Sequence, residues 1–392
     1  MKIAFAFHRD ADNPAVQSSR PFSILRELRR RGTEIVPAYP LGRPDSLGEK
    51  AKKALHRVVG KRYRADREPS RLAEYSNKFK EITAGKDFDI VFSPGSEVVA
   101  HLPTNRPIAF CADATFANLL DYYWDYTNLS ADYIRQGHEL EQAALSRASL
   151  AIYPSEWAAR AAIDFYKTDP SRVAVIPFGA NFGRENRRED VANWIERRPD
   201  WELRLLFVGR EWERKGGDIA VEAAKILSER NIRVRLDIVG VAIPQRHGTL
   251  PWIHPHGLLR AGVPHEAQVL TSLFEQAHFV VVPSRAEAYG MTFCESNAFG
   301  VPAVGAATGG IPTIIKTDVN GLLMPLEATG KEYADEIQRI FTDQGRYQQM
   351  ALDAYDEFAT RLNWGAFCRE FLLRAEPLVG SSVAGLKDAQ TL

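Results

Sequence analysis

Two glutamates, Glu287 and Glu295, stand eight positions apart in the run PSRAEAYGMTFCESNAFGVPAVG over 283–305. The apolar stretch 279–282 predicts a buried strand, the polar turn after it a loop, 290–299 a helix and 302–304 the next strand. Glu287 then falls on a loop at the carboxyl end of a strand, and Glu295 on the helix that this loop opens. Open α/β sheets bind ligands at such ends. The N–H groups of Gly290, Met291 and Thr292 lack partners at a helix start and suit an anion. Carboxylates flanking a phosphate-ready helix end fit a molecule with hydroxyls at both ends and phosphate between, such as a sugar nucleotide.

A second cluster is FVGREWERKGG over 207–217. Arg210 and Lys215 are expected in the loop between a strand and a helix, with two glycines leading into the helix. A cation about 4 Å from a phosphate charge is worth roughly 4 kcal/mol at an effective dielectric near 20. That energy accelerates a reaction only where it grows in the transition state, as it does when the diphosphate is the leaving group. The plainer reading is a pair of solvated cations beside Glu211 and Glu213. A third run, TGGIP over 308–312, follows the strand 303–305, and its paired glycines allow close backbone approach to a ligand.

Positioning these groups requires parallel sheets. Strand-like runs at 2–7, 34–37, 89–93, 108–111, 150–153 and 173–177 alternate with helical stretches, and the pattern restarts at 203–208, 234–239, 251–254, 279–282, 303–305 and 322–324. Such alternation predicts an α/β chain with helices on both sheet faces. The break falls after 176–180, which gives Rossmann-like domains over 1–180 and 181–365. A closing helix is expected over 364–379, with 366–392 counted to the first domain and 380–392 frayed.

With 392 residues, two cores are expected. The 50 basic and 50 acidic residues cancel, so no global field points to nucleic acid. Cys111, Cys294 and Cys368 are isolated, which speaks against a disulfide framework or a zinc site and for a reducing compartment. No apolar run approaches the roughly 20 residues of a membrane span, and the amino terminus lacks a signal-peptide layout. The expected location is the cytoplasm, with peripheral attachment at the inner membrane surface as an addition. That addition rests on residues 50–71, where nine Lys/Arg meet two acids. The segment reads either as a solvated basic loop-helix or as a surface for anionic lipid or an anionic acceptor.

Taken in order, Gly209-Arg210 to Lys215-Gly216, Pro283-Ser284 to Glu287-x7-Glu295, Gly300-x-Pro302 and Gly309-Gly310 resemble the donor-site signature of family-4 retaining glycosyltransferases. The resemblance covers nearly all of the second domain and extends back through YPSEW (153–157) and IPFGAN (176–181). It implies the GT-B fold: two Rossmann-like domains facing across a cleft, the last helix returning to the first. It implies a UDP- or GDP-linked sugar donor as substrate, with no cofactor and no metal. Arg210 and Lys215 would hold the diphosphate, Glu295 the ribose, and Glu287 the donor sugar. Gly209 and the backbone over Tyr289, Gly290, Met291 and Thr292 would contribute, and the base would lie near Gly257 and Leu258. Retention would come from front-face attack, the departing phosphate oxygen taking the acceptor's proton. The acceptor would be a glycan end, a lipid-linked sugar or a small molecule bound by the first domain, in glycan, polysaccharide or glycolipid synthesis.

The chain departs from the family pattern in its first domain. DNPAVQSSR (12–20) replaces the usual Gly-Gly loop, and FCADAT (110–115) places Ala112 and Asp113 where relatives carry a His-Asp pair. Asp113 is expected to take over that sugar contact. The departure motivates an alternative: a nucleotide-sugar-binding protein that has lost transfer. A nucleotide-sugar epimerase is a third reading. Asp10, Asp12, Asp87 and Asp89 match a short metal-binding pattern but read as turn and capping residues. His8 reads equally as a cleft residue or a loop histidine, His138 as a packing residue, and Cys294 as a small buried one. The aromatic cluster 122–126 fits an acceptor groove or simple packing.

Overall fold

The computed structural model describes residues 1–16, 19–182, 186–248, 250–260 and 262–388, with side chains to residue 380. It divides into two compact units, Met1–Ile176 with Phe367–Leu392, and Pro177–Ala366. Residues 389–392, the end of the span expected to fray, lie outside the described residues.

In the first unit, β1 (Lys2–Ala6), β2 (Glu34–Ala38), β3 (Ile90–Ser93), β4 (Ile108–Cys111), β5 (Leu150–Tyr153) and β6 (Val173–Val175) form one parallel sheet in the order β2-β1-β3-β4-β5-β6. In the second, β7 (Leu203–Val208), β8 (Val234–Val239), β9 (Ile253–Gly257), β10 (Phe279–Val282), β11 (Ala303–Ala306) and β12 (Gly321–Met324) run in the order β12-β11-β10-β7-β8-β9. Each unit is therefore a Rossmann-like α/β layer, as the strand–helix alternation predicts. Strands β4, β5, β10 and β11 are apolar along their whole length because helices cover both faces: all four residues of each are buried, as are those of β3.

The strand order fixes where a ligand can sit. In the second sheet the chain winds outward from β7 in one direction and from β10 in the other, so these neighbours mark the reversal. Their carboxyl ends splay two loops apart into a crevice, the place where doubly wound sheets bind ligands. The first sheet reverses between β1 and β3.

Three details differ from the expectations drawn from sequence. β9 is Ile253–Gly257, two residues later than expected, because a turn precedes it in which the Ile253 N–H donates to the Leu250 carbonyl at 3.1 Å. The loop after β7 contains a one-turn helix, Trp212–Lys215, which buries Trp212 under the helix Gly217–Glu229. The closing helix runs from Trp364 to Asp388 with Pro377 inside it, so the backbone is helical across most of the span expected to fray.

Candidate functional site

The β7 side of the crevice is shaped by glycines. Gly209 follows β7, and a Cβ there would lie 2.8 Å from Cγ of Lys215, so its lack of a side chain makes room for the lysine stem. Gly216 adopts φ +73 between the one-turn helix and the helix Gly217–Glu229, and a Cβ on it would stand 2.1 Å from the carbonyl oxygen of Pro283 on the neighbouring loop. Only glycine satisfies both demands at low cost. Lys215 therefore closes a helical turn where a loop was expected, and its side chain points at the β10 loop. Arg210 sits in the same loop with its side chain exposed.

Arg214, for which the sequence offers no distinguishing signal, stitches the two loops together. Its carbonyl accepts from the Arg285 N–H at 2.7 Å. Its guanidinium donates to the Ala286 carbonyl at 2.9 Å, to both Glu211 carboxylate oxygens at 2.9 Å each, and to Oε2 of Glu287 at 3.4 Å. Lys215 Nζ makes a direct ion pair with the same Glu287 oxygen, and both side chains are only 12% exposed. Thus the group expected to hold phosphate and the group expected to hold sugar neutralise each other in this structure. Such a pair stays intact until something supplies competing charge, since removing one partner strands the other in a shielded place.

Glu295 lies one helical turn past the Gly290 bend, on the helix Met291–Asn297. Gly290 takes φ +101, and a Cβ there would crowd Phe293 at 2.9 Å and Glu287 Cγ at 3.4 Å. Burial raises the Glu295 carboxyl from its ordinary 4.5 to about 7, opposed by the Asn181 N–H that donates to it and by the charge of Lys215. Met291 and Thr292 are half-buried at the helix start, and Asn181 Nδ2 approaches Met291 Sδ at 3.7 Å. Tyr289 is buried; its hydroxyl donates to the Phe178 carbonyl at 3.0 Å and the Cys294 thiol sits 3.5 Å from it. Burial pushes that thiol up to about 12, which makes Cys294 a packing residue and not a nucleophile. The Gly309-Gly310 run backs onto this loop: Gly310 N–H donates to the Glu287 carbonyl at 3.2 Å, and a Cβ on Gly310 would meet the Ala288 carbonyl at 2.4 Å. Its close approach therefore serves chain-to-chain packing that props Glu287.

Across β8 and β9 the strand ends form a row of small residues. Gly209 N–H donates to the Val239 carbonyl at 3.0 Å, and Gly240 N–H to the Gly257 carbonyl at 2.7 Å. Gly240, which the sequence reading did not single out, has φ +94 and would strike the Gly209 carbonyl at 2.4 Å with a Cβ. A signal existed: FVG at 207–209 and IVG at 238–240 are the same strand-to-glycine ending. Gly257 closes β9 with φ +65 instead of lying in a following loop, and Leu258 beyond it is exposed. His256 is held by Asp237 at 2.7 Å.

Comparison with known proteins decides the family. Residues 190–357 match the model of glycosyl transferases group 1, and residues 22–184 match that of Glycosyltransferase Family 4. The chain belongs to the family-4 glycosyltransferases. It is 31% identical over 227 residues to a protein of Actinosynnema mirum named D-inositol 3-phosphate glycosyltransferase, covering 55% of this chain and 54% of that one. A Thermobifida fusca protein of the same name is 30% identical over 238 residues, covering 57% and 54%. The chain thus spans about half the length of the curated relatives it matches. Among solved structures, sucrose-phosphate synthase from Thermosynechococcus elongatus superposes with a TM-score of 0.70 at 16% identity, covering 97% of this chain and 100% of that one. The Anabaena protein HepE in complex with UDP-glucose gives 0.62 at 17%, covering 97% and 100%. These likenesses establish the GT-B type of fold.

In this family-4 glycosyltransferase the remaining site candidate, Asp113, belongs to the first unit, after β4. It forms an ion pair with Arg20, whose buried guanidinium also donates to the Pro94 carbonyl at 2.9 Å. Asp113 is therefore already engaged by a cation whose distance along the chain gave no hint of the pairing. At the reversal of the first sheet, His8 Nδ1 lies 3.0 Å from Oε1 of Glu97. Burial alone would raise the Glu97 carboxyl, but the contact with His8, a backbone hydrogen bond and the charge of Arg67 together outweigh it and lower the group to about 2. His138 packs as expected, with its ring 5.2 Å from Phe165 and Nδ1 2.9 Å from the Tyr166 hydroxyl. Asp12 is taken up by Arg29 and Tyr39, Asp87 by Arg106, and Asp89 accepts from the Lys2 N–H at 2.7 Å. Of the aromatic cluster, Tyr122 packs on Trp157 and Tyr126 on Phe116, while Trp124 is 70% exposed.

Proposed function

We propose that this chain transfers a sugar from a UDP- or GDP-linked donor to an acceptor hydroxyl, with retention of configuration and without a metal. The observation that carries the reading is the convergence of Lys215, Arg214 and Glu287 at the β7/β10 reversal, with Glu295 one helical turn beyond. Donor diphosphate would draw Lys215 and Arg210, and the donor sugar's hydroxyls would replace Lys215 as partners of Glu287. Glu295 would bind the ribose hydroxyls, with Gly209 and the backbone of Tyr289, Gly290, Met291 and Thr292 lining the phosphates and Gly257 and Leu258 near the base. The acceptor oxygen bonds to the anomeric carbon as the bond to the diphosphate oxygen breaks, and the acceptor's proton passes to that departing oxygen. Positive charge from Lys215 and Arg210 strengthens its hold as the leaving group gains charge, which is where it lowers the barrier.

The first unit would select the acceptor, and Asp113, freed from Arg20, would touch the donor sugar. Names of the similar chains make a phosphorylated polyol such as inositol 3-phosphate worth including beside glycans and lipid-linked sugars. The cytoplasm is the proposed location, consistent with three free, buried cysteines. The test is nucleotide release from a panel of UDP- and GDP-sugars, with and without these acceptors, with and without EDTA, followed by NMR of the product anomer. Acceptor-dependent release that survives EDTA and gives the retained anomer supports the proposal; an inverted product or EDTA-sensitive turnover overturns it in that part.

The Arg20–Asp113 pair favours one alternative, a donor-binding protein that no longer transfers. It predicts a nucleotide-dependent rise in Tm with no release against any acceptor.

A further inference from the structure

The helix Leu47–Val58 is docked on the first unit by its polar side. Glu49 is buried and held by Arg43 at 2.7 Å and Arg71 at 3.0 Å. Lys52 reaches Glu68 at 3.1 Å and lies 4.6 Å from the Tyr63 ring centroid. His56 stacks on the same ring, 4.6 Å away and 13° from parallel. At 3.6 residues per turn, positions 49, 52 and 56 fall within an arc of about 60°.

The apolar residues occupy the other side. Positions 47, 51, 54, 55 and 58 share an arc of about 100° facing away from the body, the stripe that a globular helix ordinarily buries. Leu47 is 85% exposed, Leu55 65% and Val58 83%, and Val59 just beyond is 64% exposed. Lys50, Lys53 and Arg57 line one border of the stripe. The structure adds an aromatic that the sequence leaves distant: the Arg62 guanidinium sits 3.2 Å from the centroid of the exposed Trp124 ring, and the bridge between Arg62 and Leu129 brings that loop beside the helix end. An outward apolar stripe with a cationic border and a neighbouring tryptophan matches a helix that lies in a lipid headgroup layer. A second copy of this chain packed antiparallel fits less well, because that two-fold contact would set the Lys50, Lys53 and Arg57 borders of both copies close together.

We infer that the helix Leu47–Val58, with Val59 and Trp124, is a docking face for an anionic lipid bilayer. The side chains of Leu47, Leu55, Val58 and Trp124 enter the headgroup–acyl boundary while Lys50, Lys53 and Arg57 meet anionic headgroups. Among the described residues no helix is long and apolar enough to cross a membrane, so attachment is peripheral. Lipid docking is independent of the transfer reaction, and the two fail separately: vesicle binding reads one, UDP binding the other.

The experiment is cosedimentation of the full chain with vesicles of phosphatidylcholine alone or mixed with phosphatidylglycerol, at low and high salt. Variants are L55S/V58S, K50E/K53E/R57E and W124A, all changes at exposed or border positions, with circular dichroism and UDP binding as controls on folding. The wild type should bind the anionic vesicles, weaken with salt, and bind neutral ones poorly. Removing the apolar pair should lower partitioning about tenfold, and reversing the three charges should lower it further, by about fivefold for each cation removed. A wild type that stays in the supernatant, or an L55S/V58S variant that partitions like the wild type, overturns the inference. So does a wild-type dimer in sedimentation velocity that L55S/V58S converts to monomer, because the stripe then belongs to a second copy.

Discussion

Replacing Glu295 by Gln should stabilise the empty protein at alkaline pH while weakening its donor binding. Burial lifts the folded-state carboxyl from 4.5 to about 7. Below pH 4.5 the folded and unfolded chains both carry the proton, and burial of the group costs little. Above pH 7 the folded chain must shelter a carboxylate that the unfolded chain hydrates, so the stability present in acid is lost as pH rises through this window. The displacement sets a ceiling of roughly 3 kcal/mol at full ionisation. The side chain keeps some contact with solvent, which reduces the figure to about 1–2 kcal/mol. Glutamine preserves the shape and an oxygen to accept from Asn181 but cannot ionise. For a unit the size of residues 177–366, that gain corresponds to a Tm higher by about 3–6 °C at pH 8. Below pH 5 the gain should shrink toward zero. Differential scanning fluorimetry of both proteins across pH 4.5–8.5, without nucleotide, checks this. A Gln variant that melts with or below the wild type at pH 8, or whose advantage is flat with pH, refutes the assignment of a costly buried carboxylate. Calorimetry with UDP should show weaker binding by the same variant if the carboxylate meets ribose hydroxyls.

The Lys215–Glu287 pair predicts opposite effects from its two members. E287Q frees Lys215 for phosphate, so UDP should bind several-fold tighter by calorimetry while sugar transfer falls by at least about a hundredfold. K215A removes the closest cation from the shielded Glu287 carboxylate and keeps the Arg214 contact at 3.4 Å; it should lower stability by roughly 1–3 kcal/mol in thermal or chemical melts and abolish measurable UDP binding. G216A must place a Cβ against the Pro283 carbonyl at φ +73, and denaturation should show destabilisation of more than about 2 kcal/mol, with the β7 and β10 loops the first to exchange amide hydrogens.

Much of this protein was written locally. Uninterrupted apolar runs such as FVVV and LAIY specify buried parallel strands because a strand covered on both faces has no polar side to show. Strand–helix alternation then leaves few topologies, and the glycines at 216 and 290 mark turns that other residues enter only with strain. The grouping of Arg210, Lys215, Glu287 and Glu295 was also legible, because each follows the carboxyl end of a strand within a short loop or the helix it opens. What the chain could not announce was which of these groups touch. Lys215 and Glu287 lie 72 positions apart, and only the adjacency of β7 and β10 in the sheet turns two ligand candidates into an ion pair. The same holds for Arg20 with Asp113 across 93 positions and for Trp124 beside Arg62 across 62. Helical spacing sets Ala51, Leu55 and Val58 along one side, but spacing alone does not say which side meets the body. Which side faces the body was decided by Glu49, Lys52 and His56 finding Arg71, Glu68 and Tyr63, partners supplied by the chain further on. Strands and turns follow from interactions within a few residues; charge pairing and the orientation of a surface helix follow from neighbours that only the folded sheet brings near.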